Sequence, residues 1–300
     1  METVKYDKEN IKFMAKFERF EPLIHDHTSM RVAKDCLRKY FYQIVIAKIP
    51  KQDQIHFAWG RAYHKFREIL EKSNGDLHLA TNSGLAIWDK DQGGDPPVGS
   101  KFDFLTKARL MKSFGIAYSF WKVEREAKRI VVVAVEQPFN VALADGSHTS
   151  GRFDQVVRWS GKLWGRDFKT TSKEGTFYAR TLEPNDQFTR YTFAESKLAG
   201  EPVQGQIIET LYNSKKEGPK ITQYTSSRSQ YQLDQWERDQ IFMNKILAMA
   251  REEDTWPMQE HACQYCQYHS VCKLPSEGSM MAQLEAEYVT RPWDNTKNDD

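Results

Sequence analysis

The sequence contains no hydrophobic run long enough to cross a membrane. Its longest apolar stretch, residues 130–135, is far shorter than the roughly 18 residues that a membrane-spanning helix needs. Residues 1–10 are polar and lack the hydrophobic segment of a secretory signal. These absences predict a cytoplasmic protein that has no membrane partner.

The charged residues show no large excess of either sign. The chain has 43 lysines and arginines against 41 aspartates and glutamates, a net charge of +2. A protein that coats DNA passively is normally strongly basic, so the balance disfavours that class. It is compatible with an enzyme in which an acidic metal site offsets a basic groove. Hydrophobic residues make up 40% of the chain, which predicts a packed core rather than disorder.

Cysteine is scarce, and its spacing is uneven. The chain has only four cysteines, namely Cys36, Cys263, Cys266 and Cys272. In a reducing cytosol such a set favours metal binding over disulfides, and the close C-x2-C-x5-C trio disfavours inert buried thiols. Four thiolates could hold a 4Fe–4S cluster. They could equally hold zinc, for which His261 and His269 supply further ligands.

The periodicity of apolar residues predicts alternating groups of helices and strands, with a loop at residues 89–99. The predicted helices are residues 32–47, 57–73, 102–123, 187–198 and 233–251. The predicted strands are residues 129–144 (interrupted near Pro138), 151–159, 162–171, 203–212 and 220–225. This order indicates an α/β fold with a mixed sheet.

We expect a single domain over residues 1–274 and a loosely attached polar tail over residues 275–300. Within the domain, the pattern separates a helical part, a catalytic sheet core, and a C-terminal helix with the cysteine trio, over residues 1–125, 126–230 and 231–274.

The main chemical signal is a predicted β-hairpin. If Ser160 and Gly161 form its two-residue turn, Asp154 lies opposite Asp167, with Cβ atoms about 4.5–5.5 Å apart. Lys169 points to the same face, because it is two residues beyond Asp167. Two opposed carboxylates repel each other, and a hard cation such as Mg²⁺ or Mn²⁺ removes that conflict. Such a cation can activate water and stabilise a phosphate under attack.

Other residues strengthen this interpretation, although each has an ordinary alternative. A lone Asp-x-Lys arises by chance about once in a charged chain of this length, as part of a surface hairpin. His64 lies on a helix, where an ordinary surface histidine is the simpler interpretation. Glu136 lies near Pro138 on the preceding strand and could be an exposed edge residue. Gln187 and Tyr191 are four residues apart and share one helix face.

The motifs and their order resemble the PD-(D/E)XK nuclease superfamily, in the branch of RecB-type exonucleases and iron–sulfur nucleases of CRISPR adaptation. The resemblance covers most of residues 36–272. Its elements are a first cysteine, G-x3-H, an acidic residue on a strand, G-x-x-D, D-x-K-T, Q-x3-Y and C-x2-C-x5-C. The sequence departs from the family in one place, because residues 151–154 stand where a proline–aspartate pair would precede the D-x-K.

The resemblance implies a restriction-endonuclease-like core, with a central mixed β-sheet flanked by helices. It implies that four residues bind the metal: His64, Glu136, Asp154 and Asp167. It implies that Lys169 is catalytic and that two further residues support the site and contact the DNA backbone, namely Gln187 and Tyr191. It also favours a 4Fe–4S cluster over zinc. The cluster would join the N- and C-terminal segments through Cys36, Cys263, Cys266 and Cys272.

We therefore expect an enzyme that uses Mg²⁺ or Mn²⁺ to degrade DNA from an end. The resemblance favours single-stranded DNA as the substrate, and recombination or CRISPR-adaptation proteins as partners. Two alternatives stay open on the sequence alone. One is a nucleic-acid-binding subunit with a vestigial nuclease site, and the other is a structural protein stabilised by zinc.

Overall fold

The computed structural model describes residues 14, 17–20, 22, 24–51 and 55–293. Residues 1–10 and the last part of the expected tail, residues 294–300, lie outside this description. No helix in the described part of the chain is long and apolar enough to cross a bilayer.

The described chain contains helices and strands in an alternating order. The α-helices are α1 (His27–Asp35), α2 (Leu37–Tyr40), α3 (Ile55–Lys72), α4 (Leu77–Gln92), α5 (Lys107–Glu126), α6 (Gly175–Ala179), α7 (Asp186–Ala199), α8 (Gln230–Glu252), α9 (His269–Cys272) and α10 (Glu277–Glu287). The strands are β1 (Lys48–Pro50), β2 (Ile130–Ala142), β3 (His148–Trp159), β4 (Lys162–Thr171), β5 (Val203–Tyr212), β6 (Lys220–Ser227) and β7 (Tyr288–Thr290). A π-helical turn spans Phe41–Val45 and a 3-10 helix spans Glu260–Tyr265.

The chain divides into two compact units. The first unit combines segments from the N- and C-terminal parts of the chain with a short internal segment; its described residues lie within 14–51, 142–149 and 238–293. The second unit contains most of the five-stranded sheet and the helices that pack on it; its described residues are 55–141 and 150–237.

The second unit is built on a five-stranded sheet in the order β2-β3-β4-β5-β6. β4 and β5 are parallel, whereas β3 pairs with β4 and β5 pairs with β6 in antiparallel fashion. Phe168 and Leu211 pack on one sheet face against a core of helix side chains that includes Trp59, Phe66 and Phe114. α7 covers the other face, where Phe188 packs on Ile208. The predicted α/β fold, with a mixed sheet flanked by helices, is confirmed.

The predicted hairpin forms with the expected register. Trp159 pairs with Lys162, and the ladder continues to Gln155 opposite Arg166. Ser160 and Gly161 have φ angles of 50° and 76°. Two positive φ values are typical of a type I′ turn, whose twist matches that of the two strands.

The strand before the hairpin differs from its prediction. β2 continues through Pro138, where the sequence predicted an interruption. β2 lies at the edge of the sheet, and an edge strand tolerates a proline because one side of its backbone has no partner strand. The irregularity lies two residues earlier, at Glu136, whose φ is 51°.

In the first unit, the helix predicted over residues 32–47 is interrupted at Cys36. Its φ of −169° and ψ of 120° are extended values, which end α1 and start α2. The segments from both ends of the chain share one apolar core, which includes Met30, Tyr40, Leu247 and Trp256. Tertiary packing within this core therefore overrides the continuous helical pattern.

The segment after Leu274 has more structure than its polar composition indicates. α10 buries Leu284 and Met280, and β7 pairs with β1, so that Thr290 lies opposite Lys48. Up to Thr290, this part of the chain is therefore attached to the core of the first unit.

Gly165 on β4 tests the packing of the second unit. A Cβ atom at this position would overlap the side chains of Gln206 and Glu195, which are buried and joined by a 2.7 Å hydrogen bond. We expect Gly165→Ala to lower the free energy of unfolding by roughly 1–3 kcal/mol, as overpacked cores do. Gly115→Ala is the control, because its Cβ would meet nothing in the exposed middle of α5.

The control should raise the free energy of unfolding by about 0.5–1 kcal/mol, because alanine favours helix more than glycine does. Urea unfolding of both variants measures the two effects. Equal stability of Gly165→Ala and the wild type would contradict the described packing.

Candidate active site

Two carboxylates lie on neighbouring strands of the hairpin. The β3–β4 register, continued by one residue beyond Gln155 and Arg166, places Asp154 opposite Asp167. The Phe168 N–H donates a 2.8 Å hydrogen bond to Asp154 Oδ2, which fixes the Asp154 side chain to the backbone of β4. Asp167 is almost fully buried, with 1% of its surface exposed.

α3 brings His64 to the same place. Its Nδ1 atom lies 3.3 Å from Asp154 Oδ2. The His64 ring also meets the Phe168 ring edge-on, with centroids 6.3 Å apart. A Cβ at Gly60 would lie 3.5 Å from Thr170 Oγ1, so the missing side chain lets α3 lie close to β4.

Lys169 and Gln187 converge on Asp167 from two elements. Lys169 Nζ lies 2.7 Å from Asp167 Oδ2, and Gln187 Nε2 donates a 3.2 Å hydrogen bond to Asp167 Oδ1. Gln187 Nε2 also lies 3.1 Å from the Tyr191 hydroxyl, one turn further along α7. Asn185 caps this helix by accepting a hydrogen bond from the Phe188 N–H, which fixes where its first turn begins.

The charge of Asp154 acts on a further carboxyl, that of Glu136. Burial raises the pKa of Glu136 to about 8, and the negative charges of Asp154 and Glu68 add to the rise. Arg152 opposes it, with Nη1 3.9 Å from Glu136 Oε2. The left-handed backbone at Glu136 is unusual for a residue with a side chain, and such positions cluster at functional sites.

The two hairpin carboxyls also carry raised pKa values. Burial raises the pKa of Asp167 to about 6; Lys169 opposes this shift and the charge of Asp154 adds to it. Burial likewise raises the pKa of Asp154, against the charge of Lys169 and the hydrogen bond from Phe168. The positive charges of the protein therefore do not fully compensate these carboxylates.

The chemistry of these residues fits a hard divalent cation. Among the described residues, no three His, Cys, Asp or Glu side chains are already arranged to hold a metal ion. However, Asp167 Oδ2 is buried, and its close contact with Lys169 Nζ, at 2.7 Å, still leaves the pKa of this carboxyl raised. Three carboxylates and one imidazole are a ligand set suited to Mg²⁺ or Mn²⁺.

Comparison with known proteins identifies the family. The profile described as the PD-(D/E)XK nuclease superfamily matches residues 27–273. The chain belongs to the PD-(D/E)XK nuclease superfamily. No curated protein matches the sequence.

One solved structure shows a similar fold. A protein from Eubacterium rectale, described as a candidate exonuclease, is 13% identical, with a TM-score of 0.53 over 91% of this chain and 97% of that chain. The likeness shows the fold alone. The protein SSO0001 aligns over 82% of this chain and 96% of its own, at 10% identity and a TM-score of 0.32, which is too low to carry an argument.

The nuclease sheet also contains a buried charge network that the sequence did not predict. Glu209 on β5 is fully buried and pairs with Arg67 on α3 and Arg166 on β4. The Tyr63 hydroxyl donates a 3.2 Å hydrogen bond to it. Burial alone would raise the pKa of Glu209, but the charges of Arg67 and Arg166 lower it below its usual value. The available signal was a glutamate next to the apolar residues Ile207, Ile208 and Leu211 of β5.

The sequence motifs assign no role to Glu68, although its charge acts on the site. It lies four residues after His64, and its charge reaches Glu136. Lys72 Nζ donates to it at 2.6 Å, and Lys65 lies 3.2 Å away. Its spacing from His64 on one helix face was the signal that could have identified it.

The four cysteines all belong to the first unit, although no three of them in the described chain are arranged to hold a metal ion. Burial raises the pKa of Cys266, and the charges of Cys36 and Cys263 add to the rise. Burial and the charges of Cys266 and Cys36 act in the same direction on the pKa of Cys272. Cys36 Sγ accepts a hydrogen bond from the Gln259 N–H at 3.4 Å. The distant Cys36 is therefore close to the C-terminal trio.

The raised pKa of Asp167 predicts how stability depends on pH in the absence of metal. An unfolded aspartate has a pKa of about 3.9, against about 6 in the folded chain. Between these values the folded state holds a proton that the unfolded state has lost, so stability falls as pH rises. We expect Asp167→Asn to melt several degrees above the wild type at pH 8 in EDTA, and the difference to vanish near pH 4.

Manganese should reverse this order at pH 8, because it stabilises only the chain that keeps the carboxylate. Asp234→Asn, at an exposed position on α8, is the control and should melt with the wild type under every condition. A pH-independent effect of Asp167→Asn would show that Asp167 is not the titrating group.

Proposed function

We propose that this nuclease-superfamily chain is a divalent-metal-dependent exonuclease that hydrolyses phosphodiester bonds from DNA ends. The observation that supports it best is the buried Asp167, whose carboxylate meets Lys169 and Gln187 while Asp154 lies on the neighbouring strand. A structural protein has little reason to bury two such carboxylates together without a matching pair of positive charges.

The metal would be held by the carboxylates of the site and by one imidazole, from His64, Glu136, Asp154 and Asp167. When bound, Mg²⁺ or Mn²⁺ supplies an activated water and stabilises negative charge on the phosphate. Gln187 holds one oxygen of Asp167 and Tyr191 supports Gln187, so these two residues orient the carboxylate.

Lys169 would act on the substrate directly. Its ammonium group is held by Asp167, yet 29% of its side chain is exposed. A fixed positive charge at this position can contact a phosphate oxygen and stabilise the charge that develops there. The proposal therefore gives Lys169 a catalytic role and Gln187 a positioning role.

The proposed action on DNA ends rests on similarity to other nucleases. It is supported by the motif order, which resembles RecB-type and CRISPR-adaptation exonucleases, and by the description of the Eubacterium rectale protein as a candidate exonuclease. Single-stranded DNA is the proposed substrate, in recombination, repair, phage DNA processing or CRISPR adaptation. The partners would be proteins of those pathways.

Cleavage assays test the site. Asp167→Ala and Lys169→Ala should each lower the cleavage rate at least about 100-fold, because each removes a group that stabilises the transition state. Lys162→Ala is the control, because Lys162 lies beside the hairpin turn at the far end of β4. The substrates are end-labelled linear DNA and closed circular DNA, each with Mg²⁺, Mn²⁺ or EDTA.

We expect the wild type and Lys162→Ala to degrade linear DNA progressively with either metal, and to be inactive in EDTA. Rapid cutting of closed circles would contradict the action on ends. DNA binding without cleavage in any metal would favour the alternative of a binding subunit with a vestigial site.

We also propose that the cysteine group holds a 4Fe–4S cluster with a structural role. The support is that Cys36 and Cys263 both contact the backbone of Gln259, at 3.4 and 3.7 Å, together with the family-like order of the four cysteines. Four thiolate ligands suit such a cluster and leave no open position for a substrate. Zinc is the competing occupant.

Metal analysis decides between the two occupants. Anaerobically purified wild type should be brown and contain iron and labile sulfide in equal amounts. Cys36→Ser should lose the colour and melt at a lower temperature, because the cluster closes a long loop worth at most about 5 kcal/mol. His261→Ala should keep its iron. Stoichiometric zinc in colourless wild type, or loss of metal in His261→Ala, would reject the cluster.

A further inference from the structure

The segment between β4 and α7 connects two elements of the nuclease site. β4 carries Asp167 and Lys169, and α7 carries Gln187. The intervening residues include the short helix α6 and carry none of the residues assigned to the site so far. Any DNA strand whose phosphate reaches Lys169 would lie close to the start of this segment.

Tyr178 anchors α6 near the site. It packs on a small core formed by Leu182, Phe188 and Ile208, and its ring lies 5.4 Å from the ring of Tyr224. Burial raises the pKa of the Tyr178 hydroxyl, and the charge of Asp167 adds to the rise. α6 is therefore held beside Phe188, whose ring centroid lies 5.9 Å from Lys169 Nζ.

The residue before this anchor points outward. Phe177 is 64% exposed, although a phenylalanine favours burial. Lys173 Nζ lies 5.2 Å from the centroid of its ring. Neither Lys173 nor the exposed Arg180 forms an ion pair with any carboxylate in the described chain. The segment therefore presents one aromatic face and two available positive charges.

This combination matches single-stranded nucleic acid. Bases stack on exposed aromatic rings with about 1–3 kcal/mol each, whatever their identity, while lysine and arginine neutralise phosphates. We propose that Phe177 stacks on a base next to the phosphodiester that is cut. This inference rests on the proposed exonuclease function. Lys173 and Arg180 contact neighbouring phosphates of the same strand.

The stacking has a consequence for substrate choice. A base inside a duplex is already stacked on both sides, so Phe177 can take only an end base or a base of a single strand. The segment therefore favours single strands and duplex ends over the interior of a duplex, without reading the sequence.

Binding to a labelled oligodeoxynucleotide tests the stacking. The assay uses Asp167→Asn, which we expect not to cut, and compares an ordinary strand with one of equal length that lacks its bases. Adding Phe177→Ala should weaken binding of the ordinary strand roughly 5- to 100-fold and leave the abasic strand unchanged. Phe177→Trp should restore binding. Phe242→Ala is the control, since Phe242 is 63% exposed on α8.

The salt dependence of DNA binding distinguishes the stacking contribution of Phe177 from the charge contribution of Lys173. Phe177→Ala should keep the slope of log affinity against log salt, whereas Lys173→Ala should reduce its magnitude by about 0.7, the value for one phosphate of a single strand. Equal weakening of both strands by Phe177→Ala, or no weakening, would overturn the stacking.

Cleavage assays with the wild type and with Phe177→Ala, both of which keep Asp167, distinguish failure of the stacking proposal from failure of the exonuclease proposal. If the wild type degrades DNA and Phe177→Ala does so with an unchanged KM, the stacking is wrong and the exonuclease stands. If the wild type neither binds nor cuts DNA in any metal, the exonuclease is wrong and the stacking falls with it.

Discussion

The buried carboxylate of Glu209 is the constraint on which the geometry of the nuclease unit depends. It lies between the guanidinium groups of Arg67 and Arg166, and these two groups lie 4.5 and 5.5 Å from the centroid of the Phe168 ring. A buried charge left without its partners is strongly destabilising, so few arrangements of α3, β4 and β5 satisfy all three groups. The network thereby fixes α3, which carries His64, against the strand that carries Asp167.

The carboxyls on the two faces of β4 have pKa values shifted in opposite directions. On the face of Arg166 and Phe168, the protein neutralises Glu209 with its own cations, and its pKa is lowered. On the face of Asp167 and Lys169, Lys169 pairs with Asp167 and His64 lies beside Asp154, yet the pKa values of both carboxyls are raised. The carboxylate on the first face is compensated by cations of the protein, whereas the carboxylates on the second face are only partly compensated. This contrast distinguishes the structural charges from the candidate catalytic ones.

The sequence alone predicts the features that depend on local residue patterns. The alternation of residues 151–171 and the Ser160-Gly161 turn fix the hairpin register, and the register places Asp154 beside Asp167. What depends on distant partners was not predictable. The break at Cys36, the charge network of Glu209 and the pairing of β7 with β1 each require contacts between remote segments, which leave little signal in the local pattern. The roles of the site residues stay predictions.

The first unit is built from segments that are far apart in the sequence, and this affects when it can fold during synthesis. The Arg38 guanidinium donates to the carbonyl oxygen of Trp256, 218 positions later. At roughly 5–20 residues per second, a ribosome needs on the order of 10–40 seconds to add that stretch. During this interval Tyr40 and Phe41 have emerged, but Leu247 and Trp256, against which they pack, have not. The nascent chain therefore exposes a hydrophobic segment that a chaperone can bind, and the unit with the cysteines is completed after the sheet.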